Sequence, residues 1–179
     1  LVVALGLVEP PSKKKLSARE HGKNLRAVLA SVAWSGALGR SLGMYAVLSS
    51  ATLTAVWLIQ PHWEWTGVSV AWFGFLWAGL NLAVAFSAKL APRVERRLGR
   101  PKTLLLASLL PAIAYAGLGA LRHAATIPFA LGFQATRGAT STLVRDELNR
   151  HAASEMRATV NSIANLGTRL VFSLVAVPI

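Results

Sequence analysis

Five runs of apolar residues make up most of this chain, at 42–59, 68–87, 103–121, 124–144 and 159–179. Each is near the roughly 20 residues that a helix, rising 1.5 Å per residue, needs to cross a hydrocarbon core of about 30 Å. The first three runs hold no charged residue, and the last two hold one arginine each, Arg137 and Arg169. Barrel strands would alternate apolar and polar positions over about ten residues, and these runs are too continuous for that. The pattern predicts an all-α fold, a polytopic membrane helical bundle spanning residues 42–179. Residues 1–41 read differently: an apolar stretch ends at Glu9-Pro10-Pro11, and a polar connector begins at Ser12 to Lys15. Leu25, Val28, Leu29 and Val32 then recur at helical spacing between basic residues, which predicts an amphipathic helix lying on a membrane surface or an extension of the first full span.

The charges support this division. Only 15% of residues are charged, against about a quarter in soluble domains. Nineteen Lys and Arg face seven acids, for a formal charge of +12. Seven of the nineteen fall between Lys13 and Arg40, six between Lys89 and Lys102, and three at Arg145, Arg150 and Arg157, whereas the intervening linkers hold only Arg122. Such alternation is the positive-inside pattern. It puts residues 9–40, 89–102 and 145–157 in the cytoplasm and 60–67 and 122–123 outside. A nucleic-acid binder would gather its basic residues on one face of a soluble fold, so no nucleic-acid partner is expected. The basic loops suit anionic lipid heads instead. Trp57, Trp63 and Trp65 cluster at the first outer boundary and predict an aromatic belt there. Cysteine is absent, which excludes disulfides and thiolate metal sites without fixing a compartment.

Topology leaves Arg137 and Arg169 unexplained. Gln134, Arg137 or Gly138, Ser141 and Arg145 recur every three or four residues, so a polar stripe runs along the fourth predicted span. The fifth repeats the device with Asn161 or Ser162, Asn165 and Arg169. An arginine near the bilayer centre costs roughly 2.5–3.5 kcal/mol on insertion scales, and that cost calls for a partner. All seven acids, Glu9, Glu20, Glu64, Glu95, Asp146, Glu147 and Glu155, lie in linkers or at membrane edges. The counter-charge is therefore an acid beyond these spans, the leading reading for Arg169, or an anionic substrate group, the leading reading for Arg137. Asn81 is the sole amide of its span, and Trp57 with Gln60 could line an outer gate. Two stripes of small residues, Ala112-Ala116-Ala120 and Gly132-Thr136-Thr140, predict close helix packing. Pro111 and Pro128 predict kinks. His21, His62, His123 and His151 are scattered over the linkers without metal-ligand spacing, and no phosphate-binding glycine loop or paired carboxylates occur. No catalytic residue, metal or cofactor is expected.

These residues resemble the C-terminal half of a major facilitator superfamily (MFS) transporter over nearly the whole chain. The resemblance is carried by Val8-Glu9-Pro10-Pro11 and its basic connector, the short loop Arg93 to Lys102, Gln134-x-x-Arg137-Gly138, and the stretch from Glu155 to Ser162. The superfamily's loop signature is matched at Arg97, Gly99 and Arg100, and departed from at Pro92, Arg96 and Pro101. The resemblance implies the end of a sixth span, then spans seven to eleven of twelve, in a fragment whose last helix is missing. It further implies an N-terminal six-helix half around a shared central site, and alternating access. The function it implies is secondary active transport of a small organic solute, coupled to protons, across a bacterial inner membrane. The solute would be an exported drug or metabolite, or an organic anion. Arg137 with Gln134 would meet substrate, assisted by Arg169 with Asn165, while Asp146, Glu147, Glu155 and Arg157 would form inner-gate contacts with the basic loop. A non-transporting scaffold or receptor of the same fold is the competing class, followed by a membrane enzyme.

Overall fold

The computed structural model describes residues 22, 23, 26, 30, 36–120, 123–152 and 154–176. The apolar stretch 1–8, the connector, the amphipathic positions Leu25, Val28, Leu29 and Val32, and Arg122 lie outside the described residues. Gly22, Lys23, Arg26 and Ala30 are helical, and from Gly36 onward the described residues form α1 (Gly36–Trp65), α2 (Phe73–Leu98), α3 (Arg100–Ala120), α4 (Ala130–Ala139), α5 (Arg145–His151) and α6 (Arg157–Ala176). Short 3-10 turns occupy Val70–Trp72, Ala124–Phe129 and Ser154–Met156, and a π-turn, Thr140–Val144, joins α4 to α5. Among the described residues every element is helical. Three helical stretches of the described residues, Gly36–Trp65, Val70–Leu98 and Arg100–Ala120, are long and apolar enough to cross a membrane.

Helices α1 and α2 run past the C-terminal ends of their apolar runs, whereas the run 124–144 divides into a 3-10 turn, the ten residues of α4 and the π-turn. Lys89, Arg93, Arg96 and Arg97, expected in a linker, ride on the last turns of α2, because charged residues with long stems are good helix formers and the helix carries Pro92 within it and stops only at Gly99. Gly99 alone separates α2 from α3. Its φ of 79° lies in the left-handed region open to glycine, and its N–H donates to the Glu95 carbonyl at 2.8 Å. The chain reverses there in one residue.

Contacts fix the direction of each element. His62 near the end of α1 bonds Thr126 ahead of α4, and Arg100 at the start of α3 bonds the Leu143 carbonyl after it. The bundle therefore has an aromatic end and a charged end. Toward the aromatic end a core of Ala55, Ile59, Trp63, Leu80, Ala114, Ala130 and Phe133 joins α1 to α4. Trp63 is 0% exposed, with Phe73 and Trp77 edge-on at 5.1 and 5.7 Å. This corrects the expected aromatic belt: Trp63 lies one turn after the buried Ile59 and shares its inward face, while Trp57 and Trp65 are exposed. Toward the charged end Leu38, Leu42, Tyr45, Val144, Leu148, Val160 and Ala164 form the second core.

Of the two small-residue stripes, only one packs. Ala112, Ala116 and Ala120 are exposed; the buried face of α3 is Thr103, Ala107, Pro111 and Ala114. Gly132, Thr136 and Thr140 do face inward, and a Cβ at Gly132 would stand 3.0 Å from that of Ala114. Polar bonding decides the choice of face on α3. Pro111 has no N–H for the carbonyl of Ala107, four residues back, and the Thr136 hydroxyl donates to that oxygen at 2.8 Å. Pro92 in α2 leaves the carbonyl of Ala88 in the same position, and the Thr142 hydroxyl lies 3.5 Å from it, with a shorter 3.0 Å contact to the Gly138 carbonyl. Between these two bonds α4 approaches α2 without a side chain: a Cβ on Gly138 would lie 2.6 Å from the Val84 carbonyl and 2.8 Å from the Ala88 nitrogen.

Candidate functional site

One face of the bundle, where α1, α4 and α6 meet, carries two adjoining hollows of about 410 and 640 Å³. They share Tyr45, Ser49, Leu53 and Thr168 as a common wall. The first adds Arg137, Ser141 and Arg145; the second adds Trp57, Asn165, Arg169 and Phe172. Among the described residues no carboxylate lines either.

The π-turn explains how α4 and α5 serve one hollow. Arg137 and Arg145 are eight residues apart, and in an unbroken α-helix that spacing leaves them about 80° out of phase. A π-turn takes up one extra residue, about 100° of α-helical phase, and so nearly cancels the offset. Both guanidiniums consequently line the same cavity, with Thr140 and Ser141 of the π-turn between them.

Tyr45 ties the hollows together from below. Arg145 Nη2 donates to the Tyr45 hydroxyl at 2.8 Å, with its guanidinium 5.8 Å from the ring centroid, and the hydroxyl donates to Asn165 Oδ1 at 3.4 Å. One buried phenol thus orients an arginine of α5 and an amide of α6. By contrast, among the described residues no hydrogen bond or ion pair reaches the guanidinium of Arg137 or of Arg169. Both are exposed in the hollows.

The expected site residues divide accordingly. Arg137, Arg169, Asn165 and Trp57 come together on this face. Gln134 does not: it is 2% exposed inside the bundle, and its Oε1 has no hydrogen-bond partner among the described residues. The polar stripe therefore breaks between Gln134 and Arg137. Asn81 is exposed and donates to the Trp77 carbonyl of its own helix at 2.9 Å, outside both hollows. Gln60 is exposed one turn from the end of α1, also outside them. Tyr45, Ser49 and Thr168 were missed from the sequence. Their only signal was a lone tyrosine and hydroxyls among apolar neighbours.

At the charged end, Arg100 is the hub. It pairs with Glu95 at 2.9 Å and Glu147 at 2.8 Å, and donates to the Leu143 carbonyl at 3.0 Å. Glu147 also meets His151 at 2.8 Å, and Asp146 pairs with Arg150. The hub joins the α2–α3 link to α5, so two of the expected gate residues, Arg100 and Glu147, meet directly. Arg157 Nε instead donates to the Asn149 carbonyl at 3.1 Å, which stitches α6 to α5. Arg97 is exposed, and Glu155 lies in the Ser154–Met156 turn. Among the described residues no cluster of His, Asp and Glu could hold a metal.

No family model, curated protein or solved structure matches this chain.

Proposed function

We propose that this chain is one half of a secondary active transporter of the MFS kind, moving a small organic solute across a bacterial inner membrane by alternating access. The observation that supports this reading most is the arginine-bearing face. Arg137 and Arg169 are exposed on it, whereas Leu82, Phe86, Leu105, Leu109 and Ile113 are exposed on α2 and α3. Those apolar faces suit lipid. An arginine turned to lipid would cost roughly 2.5–3.5 kcal/mol, so its face turns to water or to protein. A second six-helix half across this face would close the two hollows into one central cavity.

In this reading Arg137 and Arg169 contact the solute or a counter-acid of the other half. Tyr45, Arg145 and Asn165 form the floor of the cavity. The Arg100, Glu95 and Glu147 cluster belongs to the cytoplasmic end, in keeping with the basic residues gathered there, and the Trp63 cluster belongs to the outer end. Membrane lipid and the other half of the protein are the partners. Proton coupling rests on the resemblance alone. The lining, cationic without an acid, favours an organic anion over a cationic drug.

The test is solute flux into proteoliposomes holding the full-length protein. Arg137→Ala is expected to abolish flux while the protein stays folded and monodisperse. Undiminished flux in a well-folded Arg137→Ala protein would remove this residue from the path.

A further inference from the structure

The two hollows offer a bound molecule different chemistry, and together they describe a class of ligand. Resting on the transport reading above, we propose that the site takes an aromatic organic anion, its acid group at Arg137 and its ring between Trp57 and Phe172. The first hollow is the end with two guanidiniums, Arg137 and an Arg145 already held in place by Tyr45. The Arg137 guanidinium, with no partner among the described residues, is suited to a carboxylate or sulfonate, whose charge-assisted hydrogen bonds are the strong kind. The second hollow supplies the rings, set among the polar side chains of Asn165, Arg169 and Ser173. Trp57, 67% exposed, and Leu53 come from successive turns of α1, and Phe172 of α6 lines the same hollow.

Aromatic rings prefer offset or edge-on partners, and among the described residues no ring pairs with Trp57 or Phe172. Arg169 at the edge of this second hollow adds positive charge and no acid opposes it. An aromatic cation would fit the rings but face three guanidiniums, Arg137, Arg145 and Arg169. An aliphatic acid would satisfy Arg137 and gain apolar contact with the rings but not the ring-to-ring preference. The combined volume, about 410 and 640 Å³ in adjoining spaces, suits a small solute with room for water, since ligand sites run to about 300–1,000 Å³.

The test uses the full-length protein and four probes: benzoate, benzenesulfonate, cyclohexanecarboxylate and benzyltrimethylammonium. Calorimetry is expected to show an aromatic anion binding about tenfold tighter or more than either of the other two. Arg137→Ala should weaken the aromatic anion by about the same factor. The pair Trp57→Ala, Phe172→Ala should erase the preference over cyclohexanecarboxylate by weakening the aromatic anions more than cyclohexanecarboxylate. Equal or tighter binding of the ammonium probe, no binding of either aromatic anion, or an aromatic preference that survives loss of both rings would overturn the assignment. Flux of labelled benzenesulfonate and benzyltrimethylammonium into proteoliposomes separates this inference from the one beneath it. Flux of the cation alone would sink the ligand class and leave the transporter, whereas selective anion binding with no flux of either probe would do the reverse.

Discussion

Thr136→Val removes one hydroxyl from the bundle interior and keeps the side chain's shape. Thr136 is 0% exposed, and its Oγ1 lies 2.8 Å from the Ala107 carbonyl that Pro111 leaves without a helical donor. Valine would strand that buried oxygen. The desolvation cost of an unsatisfied buried group is about 1–3 kcal/mol, while hydrogen bonds between membrane helices average about 0.6 and reach about 1.7 kcal/mol. The ranges overlap slightly above 1, so a loss of about 1 kcal/mol is expected. Pro111→Ala supplies the missing N–H from within α3. In that background the same Thr136→Val change should cost close to nothing, giving a coupling of about 1 kcal/mol in a double-mutant cycle. The assay is reversible unfolding of the four full-length proteins in mixed micelles, followed by tryptophan fluorescence. An equal cost for Thr136→Val in both backgrounds would refute the pairing of this threonine with the proline-freed carbonyl.

Gly138→Ala should lower the apparent melting temperature in detergent, since overpacking costs roughly 1–3 kcal/mol and each kcal/mol is worth about 2–4 °C in a domain of this size. Gly79→Ala, where nothing lies within 4 Å of the added carbon, is the control, and equal melting of the two would contradict the close approach of α4 to α2. Tyr45→Phe keeps the ring but takes the acceptor from Arg145 and the donor from Asn165, so it should destabilise by about 0.5–1.5 kcal/mol; unchanged stability in the unfolding assay would mean that the phenol ties nothing together. Arg100→Ala leaves Glu95 and Glu147 without their shared cation, and Glu147→Ala should cost less in the Arg100→Ala background than in the wild type. Additive losses would deny the pair. A reporter fused at His62 should read as external, and a cytoplasmic signal there would invert the proposed orientation.

The sequence carried the helices and little of their phase. Apolar runs locate spans because burial and lipid ask for the same residues, and for that reason they do not say which face is which. Trp63 shows the ambiguity: an indole near a predicted boundary reads as an anchor, and only packing against Phe73 and Trp77 reveals a core residue. Gln134 and Arg137 were placed on one stripe by counting in threes and fours, yet one is buried and the other open. The π-turn at Thr140–Val144 reset the count between Arg137 and Arg145, and no residue pattern announces such a turn. The Thr136 and Thr142 contacts to proline-freed carbonyls were hidden differently. Prolines and threonines are visible in sequence, but their pairing is tertiary. Arg137 and Arg169 were legible as exceptions because charge within an apolar run has few physical explanations.

The central claim is that the face bearing Arg137 and Arg169 is wetted and the faces of α2 and α3 are not. Single cysteines at Ser141 in the first hollow and at Phe86 and Leu109 on the apolar faces, in full-length protein from which any other cysteine has been removed, test it in native membranes with a membrane-impermeant maleimide. Ser141→Cys should be labelled, and protected by a transported solute, while Phe86→Cys and Leu109→Cys stay unlabelled. Labelling of the two apolar positions with a silent Ser141→Cys would contradict the account.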